Sequence, residues 1–390
     1  MVIGPEGSKG PKGGDMLKIA RYIFGVIFLF IFTSVSYACT SLRVKTTDGY
    51  VFYARTLEGV SFDSTISIIP KDTVFKGTLP DGAQKGLSWT TKYGMVGMNA
   101  FGLPMLIDGV NEKGLAVGNL MFPGFAEYQT FEARDSSKTI AQWEVVSWIL
   151  SNFATVEEVK EGIKNIRVCK QADDKKGFLE LHYTIHDPSG ASLVIEYVKG
   201  ELKVYDNPIG VFTNSPPFDW HLINLRNHIN ISAVNVPLFE IDGLKASGLG
   251  QGTGMLGLPG DYTPPSRFVR MTALVLSALP VTGPDEGLNL AMTLINNVDI
   301  AKGAVRDMGS KGPVYDTTDW VNVTDLGRKR FYFRTYDNKN WRFVDVDKAL
   351  KNTKAVMFIP IKTAPEYTDV TGEAKEYGKV PLDYFPAGKP

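Results

Sequence analysis

Cys39 is the residue whose type and position could carry chemistry, because the segment before it reads as one that is cut away. Residues Met16 to Ala38 open on Lys18 and Arg21, run apolar from Ile23 to Phe32 and end on Ser36-Tyr37-Ala38, the pattern of a secretory signal peptide. The apolar run is shorter than the roughly 18 to 20 residues of a membrane span. Met1 to Asp15, rich in Gly and Lys, reads as an upstream extension. Cleavage after Ala38 gives Cys39 a free α-amine. A thiol titrates at about 8.5 and an α-amine at about 8, so one residue supplies both nucleophile and general base. A nearby cation favours the thiolate, and Arg55 is the candidate. The rival reading is a lipoprotein leader, with Cys39 lipidated in a catalytically silent exported binding protein. Ser36-Tyr37-Ala38 lacks the aliphatic residue usual three positions before such a cysteine.

Other chemistries find little support. The four histidines, His182, His186, His221 and His228, form no His-Glu-x-x-His motif, and the two cysteines, Cys39 and Cys169, do not make a paired metal motif. A disulfide between them would consume the nucleophile, and Cys169 reads as a small buried hydrophobe on a helical pattern. There is no Gly-x-Ser-x-Gly elbow and no phosphate-cradling loop. Lys plus Arg equals Asp plus Glu at 42 each, so no net field draws nucleic acid or an acidic membrane surface. No cofactor is required, and no stable membrane span is expected once the leader is gone.

The elements that must position Cys39 start with a hairpin. Thr40 to Val44 and Tyr50 to Arg55 flank Thr46-Thr47-Asp48-Gly49, and the Asp-Gly pair is a strong turn signal. This pairs the strand that Cys39 begins with the one that ends near Arg55. Further strands are expected at Thr65 to Pro70, Ser88 to Met95, Pro104 to Asp108, Gly114 to Phe122, Leu179 to His186, Ser192 to Tyr197 and Leu202 to Tyr205. The last are Trp320 to Val323, Arg330 to Thr335 and Arg342 to Asp345. Helical periodicity covers Thr139 to Asn152, Ser266 to Ser277 and Glu286 to Asn297, and Thr155 with Glu158 reads as a capping box. This order predicts layers, with helices packed between or against antiparallel sheets. Gly248 to Pro265 is a long loop of the kind that lines sites.

Several stretches together make the chain resemble the choloylglycine hydrolases, the family of bile salt hydrolases and penicillin V acylases. They are Cys39-Thr40-Ser41-Leu42-Arg43, Ala54-Arg55-Thr56-Leu57-Glu58, Gly109-Val110-Asn111-Glu112-Lys113-Gly114-Leu115 and Phe122-Pro123-Gly124. Ala154-Thr155-Val156-Glu157-Glu158-Val159, Thr213-Asn214-Ser215-Pro216-Pro217-Phe218-Asp219-Trp220, Gly257-Leu258-Pro259-Gly260-Asp261 and Ser266-Arg267-Phe268-Val269-Arg270 complete the set.

The resemblance implies an α+β, four-layer αββα N-terminal nucleophile hydrolase fold, as one catalytic domain over 39–390. It implies hydrolysis of a linear amide C–N bond in a small-molecule N-acyl substrate through an acyl-thioester on Cys39. By motif position Arg55 stands beside the thiol, Asn214 is the side-chain oxyanion donor and Arg267 completes the polar cluster. Two positions depart from the bile salt hydrolase pattern. Glu58 replaces an aspartate that holds the α-amine, with Asp63 as the alternative, and Met121 replaces an asparagine before Phe-Pro-Gly, where a backbone N–H would still serve the oxyanion. Phe62, Met95, Phe101, Met121, Phe122 and Phe125 are candidates to line an apolar acyl pocket. The substrate stays open among bile salts, penicillin V and N-acyl homoserine lactones. The family also implies a homotetramer, and the leader implies a secreted or periplasmic bacterial enzyme.

Overall fold

A computed structural model describes residues 38–59, 63–103, 105–171, 180–309 and 312–374. The leader expected before Cys39 lies outside the described residues, apart from Ala38. In chain order the strands of the two large sheets are β1 (Cys39–Lys45), β2 (Val51–Glu58), β3 (Thr65–Ile69), β4 (Met95–Asn99), β5 (Leu106–Asn111), β6 (Ala116–Met121) and β7 (Leu181–His186). They continue with β8 (Ser192–Val198), β9 (Glu201–Asp206), β10 (Thr318–Asp325), β11 (Arg330–Thr335), β12 (Arg342–Asp345) and β13 (Met357–Pro360). One sheet has the order β1-β2-β10-β11-β12 and the other β9-β8-β7-β6-β5-β4-β3-β13. Neighbours are antiparallel throughout.

The helices that cover these sheets are α1 (Val145–Asn152), α2 (Val156–Gly162), α3 (Phe218–Asn224), α4 (Pro264–Ser277) and α5 (Pro284–Ile295). Period-two alternation sorts the side chains into layers. Along β7, Leu181, Tyr183 and Ile185 pack with Val145, Val146 and Ile149 of α1, while His186 turns the other way and stacks on Tyr53 of the first sheet, ring centroids 4.7 Å apart. Phe268 and Met271 of α4 and Ala291 and Ile295 of α5 join Leu42, Phe52 and Ala54 over the opposite sheet. The result is helix, sheet, sheet, helix: the four-layer αββα arrangement of an α+β fold.

The hairpin forms as its sequence predicts. Thr46 N–H donates to the Tyr50 carbonyl at 2.9 Å, Thr46 Oγ1 donates to Asp48 Oδ1 at 2.6 Å, and Gly49 takes φ +94°, a conformation that suits a residue with no Cβ. The cap on α2 also forms, with Thr155 Oγ1 accepting from Glu158 N–H at 3.1 Å. The Glu158 side chain reaches back past the cap residue, Oε2 accepting from Ala154 N–H at 2.7 Å instead of from Thr155 N–H.

Other stretches differ. Thr139–Ala141 is a short strand parallel to Arg167–Cys169, so the helix expected from Thr139 begins at Val145, after a 3-10 turn. Cys169 is buried as expected, but on that strand. The Ser88 to Met95 stretch splits into Ser88–Thr90 and β4. The two proline residues at the head of α4 start it at Pro264, before Ser266, since the first turn needs no N–H from them. Among the described residues no helix is long and apolar enough to cross a membrane.

Candidate active site

Register brings the first pair together. In the β1–β2 ladder Ser41 lies opposite Arg55 and Cys39 opposite Leu57, so Cys39 and Arg55 share a sheet face one step apart. Arg55 Nη2 points at Cys39 Sγ across 3.8 Å. Its Nη1 donates to the Ile107 carbonyl at 2.8 Å and to Asp108 Oδ2 at 3.2 Å, and the guanidinium lies 5.3 Å from the Trp320 ring centroid. Cys39 is fully buried. Burial pushes its thiol pKa up, Arg55 pulls it down, Glu58 adds to the rise and Arg267 opposes it.

A two-way backbone bridge between Ser41 and Phe212 brings the next part of the site in: Ser41 N–H donates to the Phe212 carbonyl at 2.7 Å and Phe212 N–H returns to Ser41 at 3.0 Å. Two residues on, Asn214 Oδ1 accepts the Cys39 N–H at 2.7 Å, and its Nδ2 donates to the Met121 carbonyl at 2.8 Å. His221 Nε2 meets the Asn214 carbonyl at 2.9 Å. Arg267, in the first turn of α4, spans the cluster. Its Nη1 donates to the Cys39 carbonyl and to Thr40 Oγ1, both at 2.5 Å, its Nη2 to Asn214 Oδ1 at 2.8 Å and its Nε to the Tyr262 carbonyl at 2.9 Å.

Glu58 closes the cluster from β2. It is buried and accepts from Thr318 Oγ1 at 3.0 Å through Oε1. Burial lifts its pKa to about 8 against the pull of Arg267. With Cys39 still joined to Ala38, its nitrogen is held by Asn214 Oδ1 and not by the Glu58 carboxylate. In the uncleaved chain it is a peptide N–H, and the Ala38 carbonyl accepts from Glu58 N–H at 3.0 Å. Asp63, the alternative, is exposed and 3.6 Å from Lys362 Nζ, outside the cluster.

A buried thiol beside a guanidinium, with its own nitrogen held by an amide oxygen, is equipped for attack on an acyl carbon. A profile of linear amide C–N hydrolases of the choloylglycine hydrolase family matches residues 39–358. The chain belongs to the choloylglycine hydrolase family. It is therefore a hydrolase of carbon-nitrogen bonds in linear amides. It is 35% identical over 314 residues to the bile salt hydrolase/transferase of Clostridium perfringens, covering 80% of this chain and 93% of that one. It is 29% identical over 332 residues to the bile salt hydrolase/transferase of Lactiplantibacillus plantarum, covering 84% and 98%. A crystal structure of conjugated bile acid hydrolase from Clostridium perfringens superposes with a TM-score of 0.74 at 32% identity, over 85% of this chain and 99% of that one.

Within this choloylglycine hydrolase the six residues expected at the site converge, though not all as foreseen. Met121 contributes its carbonyl to Asn214, while its side chain is buried in the core that α1 covers. Met95 is buried in the same core. Phe122 is buried and stacked on His182, ring centroids 4.3 Å apart, whereas Phe101 and Phe125 are exposed. Phe62 lies outside the described residues. The end of the Gly248 to Pro265 loop supports Arg267. Asp261 accepts from Thr263 N–H and from the hydroxyls of Thr263 and Ser266, and Arg270 Nη1 donates to the Pro259 and Asp261 carbonyls at 2.8 and 3.0 Å. The contact between these two stretches was not legible in the sequence, since neither Asp261 nor Arg270 announces it by spacing.

Sequence reasoning passed over Asp108, Tyr53 and Asn322. Asp108 accepts from Tyr53 Oη at 2.6 Å and Asn322 Nδ2 at 2.5 Å besides Arg55. Isolated polar residues at inward strand positions were the only signal. Among the described residues no group of three or more His, Cys, Asp or Glu side chains could hold a metal.

Proposed function

We propose that the mature chain is an exported cysteine amidase that cleaves the amide of an N-acyl substrate through an acyl-thioester on Cys39. The observation that carries this reading is the convergence of Asn214 Oδ1 on the Cys39 nitrogen and Arg55 Nη2 on its sulfur. After cleavage of the leader, the amine accepts the thiol proton and the sulfur bonds to the substrate carbonyl carbon. The carbonyl oxygen takes the electron pair. Asn214 Nδ2 has two hydrogens; one is committed to Met121, and the other donates to the oxyanion together with the Met121 backbone N–H. The ammonium then protonates the leaving nitrogen as the C–N bond breaks. Water, deprotonated by the same amine, cleaves the thioester and releases the acid.

The bile salt hydrolase/transferases above and the penicillin V acylase of Pectobacterium atrosepticum, 29% identical over 364 residues, direct the substrate search to acyl amides with apolar acyl groups. Release assays on penicillin V, glycine- and taurine-conjugated bile acids and N-acyl homoserine lactones test it. One of these classes is turned over by the mature protein, and Cys39→Ala abolishes that turnover while keeping the fold. Full turnover by Cys39→Ala overturns the reading, and a diacylglyceryl mass on Cys39 establishes the lipid anchor instead. We extend the proposal to a homotetramer. The segment from Ile229 to Leu256 projects an exposed hairpin, Phe239–Ile241 paired with Leu244–Ala246, and leaves Phe239, Ile241, Leu244 and Leu249 uncovered, apolar area suited to burial between copies.

A further inference from the structure

Asp108 is a carboxylate built into the centre of the molecule. It stands on β5, in the eight-stranded sheet, wholly shielded from solvent, yet its three side-chain donors, Tyr53, Arg55 and Asn322, all come from the opposite sheet. The neighbouring strand makes room for it. A Cβ on Gly118 would lie 2.5 Å from Asp108 Oδ2 and 2.4 Å from Tyr53 Oη, closer than side-chain atoms approach.

The guanidinium of Arg55 therefore lies between two groups able to carry negative charge, Asp108 at Nη1 and the Cys39 sulfur at Nη2. A buried guanidinium requires a counter-charge, and removing one partner leaves the other charge to find compensation. Without Asp108 the Cys39 thiolate becomes that compensation. A thiolate held this way forms at lower pH but attacks more slowly, because nucleophilicity falls with thiol pKa.

We propose that Asp108 is a positioning residue that neutralises Arg55 at the nitrogen turned from Cys39 and so leaves the thiolate free to attack. This rests on the reading of Cys39 as the nucleophile. The other charges facing Cys39 are Glu58 and Arg267. Facing the Asp108 cluster are His186, stacked on Tyr53, and His182, within the field of Arg55, both held neutral by burial. None of these is altered by substitution of Asp108, so a change in the thiol reports on Arg55.

The test is alkylation of the mature protein by iodoacetamide across pH, with the Cys39 peptide resolved from Cys169 by mass. In Asp108→Asn the alkylation midpoint falls by about one pH unit, and kcat falls about threefold while KM holds. A midpoint that stays or rises overturns the proposal, since a purely architectural carboxylate would change stability alone. If Asp108→Asn does not fold, Asp108→Asn combined with Arg55→Gln removes the unpaired charge, restores folding and titrates as Arg55→Gln alone. A double variant that fails to fold, or whose midpoint still moves, also overturns it. Failure of the nucleophile assignment is read separately, as turnover by Cys39→Ala.

Discussion

In the proposed mechanism Asn214 has two tasks, and its neighbours fix which end does which. Arg267 Nη2 and the Cys39 N–H both donate to Oδ1, so the amide oxygen must face them and the NH2 group must face Met121. On that mechanism Asn214→Ala removes the anchor of the Cys39 nitrogen and the oxyanion donor together. Loss of one such donor costs about a hundred- to a thousand-fold in kcat, so the variant should lose at least that much, with a smaller change in KM, measured by steady-state kinetics on whichever amide is turned over. An unchanged kcat would remove Asn214 from the chemistry. None of this was readable from Asn214 alone, which in isolation looks like a turn residue before Ser-Pro; the motif around it singled it out. Glu58 was legible as a departure, but its contact with Thr318 of β10 was not, because no local pattern records a partner so far along the chain. Its carboxylate ends beside Thr318 rather than at the Cys39 nitrogen.

At the level of elements, the site depends on close approach of the two sheets, and Gly118 on β6 marks the tightest point beside Arg55. Gly118→Ala drives a methyl into Tyr53 Oη and Asp108. Overpacking of this kind costs about 1 to 3 kcal/mol, so urea denaturation should give a lower midpoint, and the Arg55 guanidinium should shift enough to lower kcat as well. A variant as stable and active as the parent would mean that the sheets are not locked here. The β1–β2 hairpin was legible because Asp48-Gly49 is a local turn signal between alternating strands. The strand pairs Phe239–Ile241 with Leu244–Ala246 and Val305–Gly309 with Gly312–Asp316 were missed, being short and largely exposed, without a buried face to write a pattern. Thr139–Ala141 was misread because its apolar residues serve the same core as the helix that follows. Asp108 was illegible for another reason: its partners come from the facing sheet, and no local pattern records contacts between sheets.

The whole molecule buries ionisable groups on both sides of its cores, which gives its stability a pH dependence. Burial lifts Glu196 from 4.5 to about 8 although the Phe218 N–H opposes it, and lifts Glu58 similarly. The fold thus keeps protons that the unfolded chain releases, so stability falls as pH rises from about 4.5 to about 8. His182 and His186 are held far below 6.5 by burial, so the fold refuses protons that the unfolded chain accepts, and stability falls as pH drops below about 6.5. Glu196→Gln removes one titrating carboxylate. Its unfolding free energy should decline less than the parent's between about pH 6.5 and 8; an equal decline would show that Glu196 is ionised in the fold. The central claim concerns the start of β1, where the proposed leader ends and the proposed nucleophile, Cys39, begins. Acid-quenching the mature enzyme during turnover and mapping its N-terminal peptide by mass tests it most directly. A peptide that begins at Cys39 and carries the substrate's acyl group as a thioester is the predicted result; an acyl group on any other residue, or turnover by a chain in which Cys39 is not N-terminal, would contradict it.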